Sequence, residues 1–499
     1  MIADQDTPTM ETEIKFLLPD DMQEAVDAHP LLQGAESQSS RQEVTTYYDT
    51  SAHAFRRAGA SLRVREAGGR FVQTLKLPRE ENAFSRLEWE WTLPGEELDL
   101  SLLRDTPLRD LALEQVEPIF TCGVTRTVRA LRPSSGGLIE VTTDFGLIRA
   151  NDRMLALSEV ELELKGAAPV ALYEVAQALQ STLPLLLGAE SKAARGWRLV
   201  TGAPPEAVKA DAPTVSVGIT GTEAFSQLVS SLIVSLVDNQ PAAAAGDAKG
   251  VHRMRIAVRR LRTVLSLFRP HLAEGDEARF TEALRRLGRI LGEARDWDVF
   301  CSETLVGAAG SVPAPFLMAL REAGEAERQN AHSRLSDEFA QPHLTRLVID
   351  LSAWALDAGS EGDGVALSRP IEGIAPDMIK RLERKVRKRG KHIRRRGDEE
   401  LHALRKALKR FRYALEFMTP LMKAGQVKDQ LQHCRGLQED LGIFNDAVVA
   451  GTLAQRLADA KPELDPAAAA LTAWAEERRS AALKHLHTAW REFKEAPKP

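Results

Sequence analysis

Residues 158–166 read SEVELELKG. Val160, Leu162 and Leu164 alternate with Glu159, Glu161, Glu163 and Lys165, the period-2 pattern of a strand with one apolar face. The opposite face is almost all glutamate. Side chains two apart on a strand sit about 7 Å from each other, so three carboxylates in a row repel unless cations lie over them. Alone, such a strand is compatible with a solvated outer face.

Other strands carry the same mark. METEIKF puts Glu11, Glu13 and Lys15 on one face, LRVR puts Arg63 beside Arg65, TLK offers Lys76, and RLEWEW aligns Arg86, Glu88 and Glu90. An ordinary outer face mixes Thr, Ser, Gln and Lys, whereas these strands offer ionic residues of both signs at i, i+2 spacing. Turned inward around a closed barrel, each charge costs several kcal/mol unless paired or ligated. A strongly anionic ligand satisfies the Arg and Lys, and a divalent metal the surplus Glu. Metal–polyphosphate meets both needs, because Mg²⁺ or Mn²⁺ takes oxygen ligands from carboxylates and phosphate together.

Up to about residue 200 the runs EIKFLL, SLRVRE, FVQTLKL, RLEWEWTL, GLIEVTTDFG and SEVELELKG read as a mostly antiparallel β region, with helical inserts at 20–29, 101–113 and 169–182. Pro204, Pro205 and Pro213 interrupt both periodicities in 201–220, which reads as a linker. Residues 221–499 are helical in pattern and repeat internally. VHRMRIAVRRLRTVLSLF (251–268) and LHALRKALKRFRYALEFM (401–418) match at an offset of 150, as do 287–300 and 437–450 through Leu287/Leu437, Leu291/Leu441, Gly292/Gly442 and Asp296/Asp446. Two blocks at one offset mark a duplicated helical unit, with repeats at about 221–370 and 371–495. The expected fold class is therefore α+β multidomain, an antiparallel β barrel followed by an all-α domain.

On each motif helix an apolar stripe (Val251, Met254, Val258, Leu261, Leu265, Phe268; Leu401, Leu404, Leu408, Phe411, Leu415) lies beside a basic row. The rows are His252, Arg255, Arg259, Arg262 and His402, Arg405, Lys409, Arg412, and few acids fall within either. Asp296, Asp298 and Asp446 are expected to pair with the arginines and orient them. The charge is segregated along the chain: Lys380 to Arg412 holds 16 Lys/Arg against 4 Asp/Glu, leaving −17 for the rest of a protein whose net charge is −5. That imbalance calls for a polyanionic partner. The scarcity of aromatic platforms beside the rows disfavours nucleic acid.

The three cysteines, Cys122, Cys301 and Cys434, lie far apart, which argues against a disulfide framework or thiolate metal site and fits a reducing compartment. No run approaches the roughly 18 apolar residues of a membrane span. The expectation is a soluble cytoplasmic protein without a membrane partner.

Glu11-x-Glu13-x-Lys15, the YYDT of 47–50, Arg63-x-Arg65, Lys76, Arg86-x-Glu88-x-Glu90, Arg126, Asp144, the Glu159/Glu161/Glu163 ladder and Ser191-Lys192 resemble the CYTH, or triphosphate tunnel, family over roughly residues 9–200. The resemblance implies an eight-stranded antiparallel tunnel that acts on triphosphate compounds with Mg²⁺ or Mn²⁺. It implies that Lys15, Arg63, Arg65, Lys76, Arg86, Arg126 and Lys192 grip the phosphates. It further implies that Glu159, Glu161, Glu163 and Asp144 ligate metal, and that Glu11 and Glu13 hold a second metal or orient the attacking water. Residues 220–495 resemble the CHAD family through HRMRIAVRRLR and HALRKALKRFRY, implying two similar helical bundles whose basic rows bind inorganic polyphosphate. The combined expectation is an inorganic triphosphatase with a polyphosphate-binding half, at home on polyphosphate granules. A non-catalytic polyphosphate binder, a thiamine triphosphatase and an adenylate cyclase stay open as alternatives.

Overall fold

The computed structural model describes residues 9–10, 12–19, 21–78, 86–113, 115–272, 275–357 and 367–496. The chain divides into two compact units, Met1–Pro205 with Phe339–Ala353, and Glu206–Glu338 with Trp354–Pro499.

The first unit is built on one ten-stranded antiparallel sheet. Its strands are β1 (Thr9–Met10), β2 (Glu13–Leu17), β3 (Ser37–Thr50), β4 (Ser61–Ala67), β5 (Arg70–Pro78), β6 (Arg86–Leu93), β7 (Val116–Leu131), β8 (Ile139–Ala150), β9 (Arg153–Leu164) and β10 (Leu186–Leu187). They run in the order β1-β6-β5-β4-β3-β7-β8-β9-β2-β10. The ends of this order belong to one stretch of chain. Residues 9–10 pair with β6 through Thr9↔Glu88 and Met10↔Leu87, and residues 13–17 pair with β9 from Glu13↔Glu163 to Leu17↔Glu159. The N-terminal segment thus bridges the two edges and closes a barrel of eight strands, counting β1 and β2 as one and β10 as a short extension. The eight-stranded antiparallel barrel expected from the sequence is present.

The two longest strands, β3 and β7, were not among the runs picked out by alternation. Their apolar residues are diluted by Ser, Thr, Gln and Arg on both faces, so a period-2 signal is weak even though the pairing is extensive. The helical inserts fall at Gln23–Asp27, Leu100–Asp105 with Arg109–Leu113, and Pro169–Gln180.

Directly opposed residues of paired strands share a face, and the register traces one face around the ring. Lys15↔Glu161, Glu161↔Thr142, Asp144↔Glu159, Arg126↔Asp144, Arg41↔Arg126, Thr45↔Arg65, Tyr47↔Arg63, Arg63↔Thr74, Thr74↔Glu90 and Lys76↔Glu88 all lie on it. The opposite face is apolar and covered. Phe16, Ile139, Val141, Val160 and Leu162 are fully buried together with Leu172, Val175 and Leu179 of the helix Pro169–Gln180. Leu62, Leu75, Trp89 and Trp91 pack with Phe55 and Leu103 from the loop segments. Each such Leu or Phe contributes about 1.5–3 kcal/mol by leaving water, which dictates which face of every strand turns outward toward its covering helix. The ionic face is left to line the barrel.

One end of the interior is filled. Tyr47, Phe120, Cys122, Val124, Ile148 and Leu157 form an apolar cluster with Trp197 of the helix Lys192–Thr201, and Tyr47 stacks on Phe120 with ring centroids 4.5 Å apart. Ser191 caps this helix by accepting a hydrogen bond from Ala194 N at 3.2 Å. Gly196 is required by the close approach: a Cβ there would lie 2.1 Å from Phe120 Cε2.

The second unit is helical. Its motif helices, Ala248–Phe268 and Asp398–Phe417, begin 150 residues apart, each followed by a long helix, Asp276–Val299 and Ala424–Ala460. Both apolar stripes read from the sequence are buried. Residues 202–216 contain neither helix nor strand, although Val215 is buried and its N–H donates to Phe417 O. All three cysteines are free and buried. Among the described residues no helix is long and apolar enough to cross a membrane.

Candidate functional site

The charged face of the barrel converges on three carboxylates. Oxygens of Asp144, Glu159 and Glu161 lie within 4.8 Å of one another, on the paired strands β8 and β9, and each has its own cation. Arg126 donates to Asp144 at 2.8 and 2.6 Å, Arg195 Nη1 to Glu159 at 2.6 Å, and Lys15 Nζ lies 2.8 Å from Glu161. Lys192 is shared: its Nζ lies 2.9 Å from Asp144, 2.6 Å from Glu159 and 2.8 Å from Glu161. Burial opposes the charges of Lys15, Arg126, Asp144, Glu161 and Lys192, but the opposite charges prevail. Glu161 is held well below the ordinary carboxylate range by Lys15, Lys192 and Arg126, and Lys192 well above the ordinary ammonium value by Glu161, Asp144 and Glu159. Lys15, Arg126, Asp144, Glu161 and Lys192 are therefore ionised at neutral pH.

Around the ring a second set forms. Lys76 Nζ lies 2.9 Å and Arg63 Nη2 3.6 Å from Glu88, and Arg63 is further held by the Tyr47 hydroxyl. Arg65 reaches Glu90 at 3.3 Å. The structure thus brings Lys15, Arg126 and Lys192 together with Asp144, Glu159 and Glu161, and sets Arg63, Arg65 and Lys76 on the same inner face. Glu163 lies across the register from Glu13 and Glu140, apart from the three-carboxylate nest. Lys165 pairs with Glu163. Glu11 and the side chain of Arg86 lie outside the described residues.

Two inner residues escaped the sequence reading. Glu43, 2% exposed, accepts from Arg41 at 2.7 Å and faces Arg126 Nε at 3.5 Å; its alternation with Arg41, Thr45 and Tyr47 was the available signal. Arg195 stands three residues after Lys192, one helical turn on the same side, and also donates to Ala156 O at 2.8 Å. Asp49 of the YYDT stretch is spent on backbone, accepting from the N–H groups of Thr50, Phe55 and Arg56 at 2.7–2.9 Å.

The nest fits a hard divalent cation. Its donors are all carboxylate oxygens, an ammonium already lies among them, and Glu159 Oε2 is buried without hydrogen-bond geometry to any partner.

In the helical unit the two basic rows face each other. Arg255 pairs with Asp296 at 3.0 Å and Arg405 with Asp446 at 3.8 Å, the same contact in both repeats. Asp298 instead holds Arg328 at 3.5 Å and His332 at 2.9 Å, outside the rows. Lys409 is pushed down to about 6 by burial and by Arg259, Arg405 and Arg255. His252 is pushed down to about 4 by burial and its neighbouring arginines, and His402 is lowered by burial while its Nδ1 meets Asn445 Oδ1 at 2.9 Å. Arg262 has Arg410 and Arg285 as neighbours, and its charge is disfavoured by burial and then by them. Arg412 is engaged internally, bonded to Glu416 at 2.9 Å and lying 4.9 Å over Tyr413. Beside Arg255 is a cleft of about 380 Å³ lined also by Arg289, Arg456, Glu293 and Trp297, with Gly288 and Gly292 on its helical wall.

Comparison with known proteins matches these two halves separately. The CYTH domain family model matches residues 9–197 and the CHAD domain family model residues 227–455. An uncharacterized protein of Mycobacterium tuberculosis (strain CDC 1551 / Oshkosh) is 28% identical over 450 residues, covering 83% of this chain and 82% of the relative. An inorganic triphosphatase of Haemophilus influenzae is 29% identical over 158 residues, covering 31% of this chain and 45% of the relative. The crystal structure of the CHAD domain from the plant Ricinus communis aligns with a TM-score of 0.50 at 27% identity, covering 59% of this chain and 98% of that one.

Proposed function

We propose, for a chain that is a CYTH domain followed by a CHAD domain, a divalent-metal-dependent hydrolysis of inorganic triphosphate in the barrel, with inorganic polyphosphate bound by the helical unit. The observation that carries the first half is the interior nest: three carboxylates crossed by Lys15, Arg126 and Lys192 in a space whose outer walls are apolar.

Phosphoryl transfer asks for charge neutralisation and in-line positioning rather than a covalent nucleophile. Lys15, Arg63, Arg65, Lys76, Arg126 and Lys192 supply donors for the phosphate oxygens, with Arg86 as a further one. Asp144, Glu159 and Glu161 would hold Mg²⁺ or Mn²⁺, with Glu163 and Glu13 across the register from each other for a second ion, a role the sequence pattern extends to Glu11. Such an ion, when bound, withdraws charge from the phosphate oxygens it touches. Glu13, with Glu11, is assigned to orienting the attacking water. The water's oxygen bonds to the terminal phosphorus as the bond to the bridging oxygen breaks, giving phosphate and diphosphate, and the proton it sheds passes to solvent. Glu43 and Arg195 keep Arg126 and Glu159 in place.

The helical unit supplies the polyanion surface through His252, Arg255, Arg259, Arg262, His402, Arg405 and Lys409, with Arg412 committed mostly to Glu416. A reducing cytoplasm, with polyphosphate granules as the site of action, agrees with three buried free thiols.

The purified chain assayed for phosphate release from triphosphate, thiamine triphosphate and ATP, with Mg²⁺ or Mn²⁺, tests the reading. Preference for triphosphate is expected. Glu161→Gln should lower turnover by roughly 10²–10³-fold and leave polyphosphate binding intact. Loss of both together would remove the division of labour, and no turnover of any substrate with binding intact would leave a polyphosphate-binding protein.

A further inference from the structure

We infer that Lys192 is a tethered counter-ion which the entering divalent metal displaces from the three-carboxylate nest, freeing its ammonium for a phosphate of the substrate. The inference rests on the metal and triphosphate reading above and adds an order of events to it.

The geometry sets the ammonium where the metal would sit. Lys192 Nζ lies 2.6–2.9 Å from oxygens of the same three residues whose ligand atoms converge. A Mg²⁺ ion needs those oxygens at about 2.0–2.1 Å, so ammonium and metal cannot share the centre. The other cations need not move. Arg195 holds Glu159 and Lys15 holds Glu161, while Arg126 holds Asp144 and reaches Glu161 at a longer 3.7 Å. When Lys192 leaves, every carboxylate keeps a partner and its orientation. Arg126 is also steadied by Glu43, and Arg195 by Ala156 O.

The backbone of Lys192 is fixed while its stem is not. It is the first residue of a helix capped by Ser191 and anchored through Trp197 in the apolar plug. Only the flexible four-carbon side chain can swing. Charge then links the two ligands. The nest holds three carboxylates, with Glu43 behind Arg126 as a fourth, against Lys15, Arg126, Arg195 and Lys192. Metal alone leaves a strong excess of positive charge there, which a triphosphate removes. Metal and triphosphate therefore bind cooperatively, with the released lysine as one of the links.

Lysine acylation on the full chain, followed at Lys192 by mass spectrometry, tests this directly. With an N-hydroxysuccinimide acetate, Lys192 should be protected in metal-free protein, labelled when Mn²⁺ is added alone, and protected again with Mn²⁺ plus tripolyphosphate. Mn²⁺ binding is followed in parallel by loss of the free-ion EPR signal for the metal alone, and by the Mn²⁺ retained with the protein after rapid gel filtration when tripolyphosphate, itself a Mn²⁺ chelator, is present. Bound Mn²⁺ with Lys192 still protected overturns the displacement and leaves the metal reading intact. No bound Mn²⁺ even with tripolyphosphate overturns both. Lys192→Met should bind Mn²⁺ alone about tenfold tighter or more, since a unit positive charge has left the nest, and should lose the cooperativity with tripolyphosphate. Unchanged cooperativity in this variant counts against the inference, and the labelling of the wild-type chain carries the test if the variant fails to fold.

Discussion

Lys409 shows how a single residue reports on the helical unit. Arg255 and Arg259 face it from one motif helix, Arg405 from its own, and Asp446 from the helix after it. Burial and these arginines bring its ammonium down to about 6, far below the ordinary value of about 10.4. Between those values the unfolded chain binds the extra proton, so this group makes folding stability rise with pH across that window. A polyanion laid over the cluster favours the charged form, so binding takes up a proton and weakens as pH rises above about 6. Calorimetry near neutral pH in two buffers of different ionisation enthalpy should show that uptake, and Lys409→Met should abolish most of it. Equal uptake by the variant would show that the proton goes elsewhere. None of this was legible in the sequence, where Lys409 is one of four cations in a row. Glu43 and Arg195 were hidden for a related reason: the partners that tie them to the nest, Arg126 and Glu159, come from other strands.

Among the elements, the helix Lys192–Thr201 performs two tasks, closing one end of the barrel with Trp197 and delivering Lys192 and Arg195 to the nest. Gly196 is where the two meet, because a side chain there runs into Phe120. Gly196→Ala should cost about 1–3 kcal/mol through overpacking, seen as a lower melting temperature by circular dichroism, and should reduce turnover while polyphosphate binding stays unchanged. Normal turnover in a destabilised variant would separate the plug from the chemistry. The strands themselves were largely readable. SEVELELKG, EIKFLL and RLEWEWTL show alternation because one face packs against helices and the other is ionic. Which of the two faces the barrel interior cannot be read from one strand; it took the matching ladders to suggest it and the register to trace it. β3 and β7 escaped because neither of their faces is uniform. The helical repeat was plain, since a duplication preserves both stripe and row at one offset.

For the whole molecule the charge is partitioned, with +12 between Lys380 and Arg412 and −17 over the rest. A polyanion bound by the half-buried basic rows releases counter-ions, so raising salt from about 50 to 200 mM should weaken polyphosphate binding by roughly 10³-fold if six or more cations engage. Buried pairs are screened far less, and turnover of triphosphate in the barrel should change by less than about tenfold. Measuring both on one preparation would test the partition, and parallel losses would argue against it.

The closure of the barrel by residues 9–17 also sets a schedule for biosynthesis. Glu13 to Leu17 leave the ribosome before their partners, Glu159 to Glu163, which emerge almost 150 residues later. At about 5–20 residues per second, the first strand waits roughly 10–30 s for β9. An unpaired apolar strand invites aggregation over such an interval, and charged side chains are a common protection. Glu13 and Lys15 are thus suited to keeping the nascent edge soluble until β9 arrives to claim it.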